Sequence, residues 1–414
     1  MSRQKKQVKF NKKVFFNNSL DWLEIILNSW FFLFGLFLPI QLGKHWWPGF
    51  AFLNGVRIDY LSPSLFFTDL FLLIGFVLVV LTQPLEKPKL TKLSIFLIST
   101  TLLVLVVNFT LASYPELFFY RCWQYLKIGL VTIIFAKVVK SQWSIFIKGL
   151  FVASFYTLLL VIGQIVSQES IQGIWWWLGE RAFSINSPHI ATISWQGQQI
   201  LRGYGTFSHP NSMAGFFLII FWLFWLHKKR WASLIPLFLI VLSFSKIVIL
   251  TLALTLFLWE LRQKISCRFC HLAKLFFFGW LFVFTFMYRG SAVSISQRFI
   301  SWQQTLLYLL NHPLGTSLGH YLHPLLIPLY QPVHNIWLLF LLELGWWGFF
   351  LLVFLFIWIY QAVKKRPVLF FIFFPLIIAG LFDHYWLTLV QNMLLVGVVF
   401  GYAITVLSVP DTVD

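Results

Sequence analysis

The chain has 414 residues, 59% of them hydrophobic and only 11% charged, with a formal net charge of +18. Soluble globular domains are about 25% charged, so an ordinary soluble enzyme is excluded. A nucleic-acid binder is excluded by the distribution of charge: the bases form no patch but fall in alternate connections between apolar runs, the positive-inside pattern of an all-α polytopic membrane protein.

Residues 1–20 form a basic segment assigned to the cytoplasm. About twelve transmembrane helices follow in a single domain, 21–408, before a short cytoplasmic tail at 409–414. Each run approaches the length that spans ~30 Å of hydrocarbon at ~1.5 Å per residue. The first five lie near 21–43, 65–83, 93–112, 117–139 and 144–167. The first is too long for the apolar part of a signal peptide, and no small-residue cleavage site follows it. In the fourth, Arg121 follows Pro115 by six residues, about 9 Å down the helix. An intramembrane Arg is costly and is a functional-site hypothesis by default; snorkelling to the outer headgroups is the alternative. Lys127 lies deeper in the same run.

Next comes an extracytoplasmic segment at about 168–211, long for a loop without structure of its own and so a candidate for function. It holds Trp175, Trp176 and Trp177, typical of an interfacial belt, and few bases, chiefly Arg181 and Arg202. Spans near 212–226, 231–245, 246–260 and 274–288 follow, with a turn at Ser243–Lys246 separating the middle pair. The string CRFCH (Cys267 to His271) matches a c-type haem attachment pattern. It falls in a basic connection on the cytoplasmic side, so it reads as an ordinary loop. The second large external segment, about 289–335, carries Arg289 and Arg298 and contains a surface helix. Ile295, Phe299, Trp302, Leu306 and Leu309 recur at helical spacing, Ser294 or Ser296 offers a cap, and Asn311-His312-Pro313 offers a stop. Such a helix suits the membrane interface. Spans near 336–361, 368–382 and 388–408 complete the domain.

The candidate chemistry concentrates where chain enters membrane from outside. RGYGTFSHPN (Arg202 to Asn211) leads into the sixth span and VHN (Val333 to Asn335) into the tenth. Both helix N-termini face outward, where free N–H groups and the dipole favour anions. A His placed there is biased towards its neutral form, which suits a general base. Asn211 and Asn335 suit capping, and Pro210 is tolerated in a first turn. Polar caps with no further role are the competing reading of both sites. Glu343, inside the tenth span, suits neutralising a base; Asp383-His384-Tyr385, near the outer end of the eleventh, reads as a turn in which His384 can orient a substrate. The sequence has no DxD pair, P-loop, HExxH or GxSxG motif, so the expected chemistry uses neither metal nor cofactor and rests on Arg, His and helix ends.

Taken together, these stretches resemble the O-antigen ligase and O-antigen polymerase superfamily of bacterial envelope glycosyltransferases. The resemblance runs over roughly 100–400 and is carried by RGYGTFSHPN, by SFSKIVILTLALTLFLWELR (Ser243 to Arg262), and by SQRFISWQQTLLYLLNHPLGTSLGHY (Ser296 to Tyr321). HNIWLLFLLELGWWG (His334 to Gly348) and FDHYWLTLVQ (Phe382 to Gln391) complete it. It implies a C-type glycosyltransferase fold in the bacterial inner membrane, with both termini cytoplasmic. It further implies metal-independent, inverting transfer of a glycan from a polyprenyl diphosphate carrier on the extracytoplasmic face. The acceptor would be another glycan, lipid A core or protein. Arg202, Arg298 and His334 correspond to the family's functional positions; Arg121, His209, Asn211, Asn335, Lys246 and His384 are the expected substrate-binding residues. Lys246 stands where many relatives have Arg, which keeps the charge but not the bidentate fork. A transporter or flippase of lipid-linked or anionic solutes is the alternative. It would place its polar groups at the bilayer midplane, whereas here they gather at one interface.

Overall fold

The computed structural model describes residues 22–82, 92–263, 268–287, 293–322 and 331–408. The basic N-terminal segment, the C-terminal tail, Cys267 and Arg289 lie outside these. The described chain is mostly helical. It begins with α1 (Trp22–Phe37), followed by β1 (Gly43–His45), β2 (Phe52–Leu53), β3 (Val56–Arg57) and β4 (Ser64–Phe66). Helices α2 (Phe67–Thr82), α3 (Lys92–Thr110), α4 (Pro115–Ala136) and α5 (Lys140–Ser167) come next. A short α6 (Ile174–Trp177) and the strands β5 (Thr192–Trp195) and β6 (Gln198–Leu201) lead to α7 (Pro210–Leu226). The remainder is α8 (Leu234–Leu242), α9 (Lys246–Leu261), α10 (Arg268–Met287), α11 (Val293–Asn311), α12 (Ile336–Lys365), α13 (Phe370–Phe382), α14 (Tyr385–Thr388) and α15 (Val390–Ser408).

Helix α7 is the centre of the bundle. Every residue from Ser212 to Phe224 is buried, as expected of a helix that is apolar all round. Helix α15 lies closely along α4 because Gly397 and Gly401 present backbone instead of side chain. A Cβ on Gly401 would stand 2.4 Å from Phe135 Cβ, and one on Gly397 2.8 Å from Ile128 O. Small residues four apart permit this approach, and Thr405 Oγ1 donates across it to Phe135 O at 2.9 Å. Helix α10 stays peripheral, with Phe269, Phe276 and Phe286 exposed as on a lipid-facing surface.

Three described helices, α5, α12 and α15, are long and apolar enough to cross a membrane by themselves, and six shorter apolar helices accompany them. The expected break between two middle spans falls at Ser243–Ser245, with Phe244 at φ 51°. Helix α8 has only 9 residues, roughly 14 Å of rise, too short to span hydrocarbon alone. The described chain is mostly helical, as expected. Among the described residues, the connections that the sequence suggests are external carry three short two-stranded antiparallel pairings, β1–β4, β2–β3 and β5–β6. The last turns through Gln196 (φ 50°) and Gly197 (φ 83°), the backbone signature of a tight primed turn. The first large segment is organised by the buried Glu180, whose carboxylate accepts from the backbone N–H groups of Ile171 (2.9 Å) and Gln172 (2.6 Å) and from Gln164 Nε2 (2.8 Å). The surface helix of the second segment is α11. Thr305 and Leu309 face the protein, while Phe299, Leu306 and Leu310 are exposed, an arrangement suited to the interface.

Candidate active site

At the end of the bundle that carries the hairpins, four separate stretches converge on one carboxylate, Asp383. The helix entrances come first. At α7 the cap is His209, not the expected Asn211: its Nδ1 accepts from Asn211 N at 3.1 Å. That role requires an unprotonated Nδ1. Burial, together with the nearby Arg202, pushes the His209 pKa down to about 3. Asn211 is thereby freed for tertiary contacts. Its Oδ1 accepts from Arg202 Nη2 at 2.6 Å and its Nδ2 donates to Asp383 Oδ2 at 3.1 Å. Arg202, at the end of β6, is held from behind by donating Nε–H to Ser243 O at 2.7 Å. Helix α12 is capped by Asn335, which accepts from Trp337 N at 2.9 Å and Leu338 N at 3.1 Å. The residue before it, His334, has Nδ1 3.4 Å from Asp383 Oδ1 and Nε2 3.1 Å from Gln331 Oε1.

Arg298, from α11, brings its guanidinium to 4.0 Å from Asp383 Oδ2. Trp302, one turn further along α11, donates its indole N–H to His334 O at 3.1 Å, fixing the helix to the His334 backbone. His384 completes the cluster. Its N–H donates to Asp383 Oδ1 at 2.9 Å, its Nδ1 lies 2.8 Å from Thr388 Oγ1, and its ring is 5.0 Å from that of His334. Burial pushes the His384 pKa down to about 3 against the opposing pull of Asp383. Burial pushes Asp383 up, but the neighbouring His334 imidazole, His384 and the Arg298 guanidinium outweigh it, so its carboxyl sits well below the usual range. The Arg298 and His334 side chains remain 19% and 18% exposed, enough to meet a ligand from one side. Tyr60 roofs the cluster, its ring edge-on to His384 at 5.2 Å. Two imidazoles and a carboxylate also make His334, Asp383 and His384 a group able to hold a metal ion.

The structure thus gathers Arg202, Arg298, His334, His209, Asn211 and His384 around a residue that the sequence reading passed over as part of a turn. The available signal was that Asp383 is an isolated acid in a chain with only 13 Asp and Glu in all. Tyr60 had no signal, since the stretch 43–66 reads as a connection. Lys246 begins α9 directly after Ser245 and is half-buried. Arg121 stands apart. It is 1% exposed and paired with Glu343 at 2.6 Å, not open to a ligand. Its five N–H groups are all used, by Glu343 (twice), Gln124, Tyr125 and Leu387 O.

Residues 204–353 match the family model described as O-antigen ligase. The match supports the O-antigen ligase and polymerase superfamily. No curated protein matches the chain. The matched stretch contains His209, Asn211, Lys246, Arg298, His334 and Glu343. Arg202, Asp383 and His384 lie outside its limits and reach it through the fold. At the family level the domain implies a glycosyl-transferring enzyme with a lipid-linked glycan and an acceptor as substrates. With helices apolar enough to cross a membrane, it points to a bacterial inner-membrane protein.

Proposed function

We propose that the protein transfers or polymerises a glycan from a polyprenyl diphosphate carrier on the extracytoplasmic face of the inner membrane, without metal and with inversion at the anomeric carbon. The observation that carries this reading is the convergence of Arg298 and His334 on Asp383, to which Arg202 is joined through Asn211. That cluster lies at the opposite helix ends from the basic runs Lys228–Arg230 and Lys364–Arg366, which the positive-inside rule assigns to the cytoplasm.

In the proposed step the diphosphate lies between Arg202 and Arg298, whose planar forks match phosphate oxygens. The N-termini of α7 and α12 add to the positive potential. His334 holds Nδ1–H towards Asp383, leaving Nε2 as the base. An acceptor hydroxyl displaces the exposed Gln331 amide from Nε2 and gives up its proton there as its oxygen attacks the anomeric carbon. The bond from that carbon to the diphosphate breaks on the opposite face, and the two guanidinium groups take up the charge growing on the leaving oxygen. The carboxylate stabilises the imidazolium, as in other acid–imidazole pairs. The cationic surroundings of Asp383 disfavour a divalent ion on the same trio, since Arg298 and Arg202 already supply the positive charge that a metal would bring.

A discontinuous helix with buried ion pairs is also a transporter feature, and α12 breaks at Gly345. Here the break is filled by the chain's own loop, which favours an enzyme. The test is purified protein given a defined lipid-linked oligosaccharide and acceptor, with the product read by mass spectrometry. Covalent transfer that disappears in His334→Ala, with the variant still in the membrane, supports the reading. Movement of labelled lipid across liposomes without any new glycosidic bond refutes it. A missing base should cost ~10²–10⁴ in rate.

A further inference from the structure

We propose that Arg121 is a positioning residue for the transfer described above: its guanidinium clamps together the two elements that carry His334 and Asp383, without itself touching substrate. The proposal rests on that functional reading, and on the way α12 is built.

Helix α12 is two helices end to end. Gly345 has φ 62° and ψ −150°, and the loop after α11 docks into the interruption. Trp346 N donates to Pro313 O at 2.9 Å and Thr316 N to Leu342 O at 2.8 Å. The fit is close: a Cβ on Gly345 would stand 2.1 Å from Pro313 O, and one on Gly315 2.5 Å from Leu342 O. The outer piece, from Ile336 to Leu344, carries His334 at its head. Because helical geometry does not run through Gly345, the rest of α12 does not set the direction of this piece. It must be fixed from the side.

Glu343, at the foot of the outer piece, does this. Its carboxylate accepts from Arg121 Nε at 2.6 Å and Nη2 at 3.0 Å, from the Tyr125 hydroxyl at 2.5 Å and from Gly319 N at 2.9 Å. The same guanidinium uses Nη1 to donate to Gln124 Oε1 at 2.8 Å and to Leu387 O. Leu387 belongs to α14, the single turn that follows Asp383-His384, and its own N–H donates to His384 O at 3.0 Å. One planar cation therefore bonds the foot of the His334 helix with one edge and the Asp383–His384 turn with the other. The distance between those two elements is the distance that sets the His334–Asp383 contact. With every N–H committed and 1% of the side chain exposed, Arg121 has nothing to offer a diphosphate.

Lysine keeps the charge but cannot bond both partners at once. Misplacement by about 1 Å can cost ~10²-fold in rate. In the purified transfer assay Arg121→Lys should lower kcat by roughly 10–100-fold and leave KM for the lipid-linked donor within about twofold. Removing one member of a buried ion pair strands the other charge, so Arg121→Gln/Glu343→Gln is the second variant, neutral at both positions, and the same kcat loss is expected. A second readout needs no substrate: carbethoxylation of His334 by diethylpyrocarbonate, followed by mass spectrometry. Arg121→Lys should shift the His334 rate towards that of Asp383→Asn. The proposal is overturned if the donor KM rises while kcat holds, which would make Arg121 a substrate ligand. It is equally overturned if folded Arg121→Lys and the double variant match wild type in both kcat and His334 reactivity. Should wild type itself transfer nothing, the functional reading fails, and the His334 labelling still reports whether Arg121 sets the contact.

Discussion

Replacing Asp383 with Asn keeps the shape of the side chain and removes its charge. In the wild-type site the carboxylate lies 3.4 Å from His334 Nδ1, and it is ionised across the working range because its pKa is held well below the usual value. When His334 takes the acceptor's proton, an imidazolium forms beside that carboxylate. At an effective dielectric of about 20, opposite charges at this separation attract by roughly 5 kcal/mol. Solvent reaches the pair from one side, and rearranged dipoles recover part of the loss, so about half of that is expected to appear as barrier. About 2.5 kcal/mol corresponds to a fall of roughly 70-fold in kcat. An Asn at 383 has one oxygen, which can keep the His384 N–H contact made at Oδ1, while its NH2 replaces the Oδ2 that accepts from Asn211 Nδ2; the fold should survive the loss of that one hydrogen bond. The assay is release of polyprenyl diphosphate by purified protein at saturating donor, with thermal unfolding as the control. If Asp383→Asn turns over within threefold of wild type while His334→Ala is inactive, the carboxylate does not assist the base, and the pairing of the two is incidental.

Arg202→Ala and Arg298→Ala should each lower kcat by ~10²–10³, the usual cost of one donor to a developing oxyanion; Arg298→Lys should recover only part of it in the same assay. The buried His209 is held neutral, with its pKa moved from 6.5 to about 3. An unfolded chain takes up a proton at this residue below about 6.5 and the folded chain does not. Its contribution to stability is therefore complete above that pH and is lost as pH falls towards about 3. Between pH 6.5 and 5 this one group should cost about 2 kcal/mol, visible as a lower unfolding temperature in detergent and reduced in His209→Gln. Treatment with a chelator should leave the initial rate of transfer unchanged; loss of activity restored by a divalent cation would instead make His334, Asp383 and His384 a metal site.

What the sequence made legible and what it hid differ in physical kind. Helices, their ends and the face that collects external Arg and His follow from local rules. Apolar length, charge bias along the chain and the capping residue Asn335 are all properties of neighbours in sequence. His334, Arg298 and Arg202 stood out because polar groups at a membrane entrance are expensive. Asp383 looked like a turn because its significance lies in partners 49, 85 and 172 positions away in the chain: His334, Arg298 and Asn211. Arg121 illustrates the same limit from the other side. Costly intramembrane charge singled it out, but the mark is identical for a residue that grips a ligand and for one that grips Glu343 and Leu387 O. The two roles differ only in where the five N–H groups point. In a bundle whose helices are joined through glycine contacts and a refilled break, the buried charges that hold it are therefore as conspicuous in sequence as those that act. Burial separates them: Arg121 at 1% and Arg298 at 19% are the same residue type in the two different positions, and only the second can meet a diphosphate.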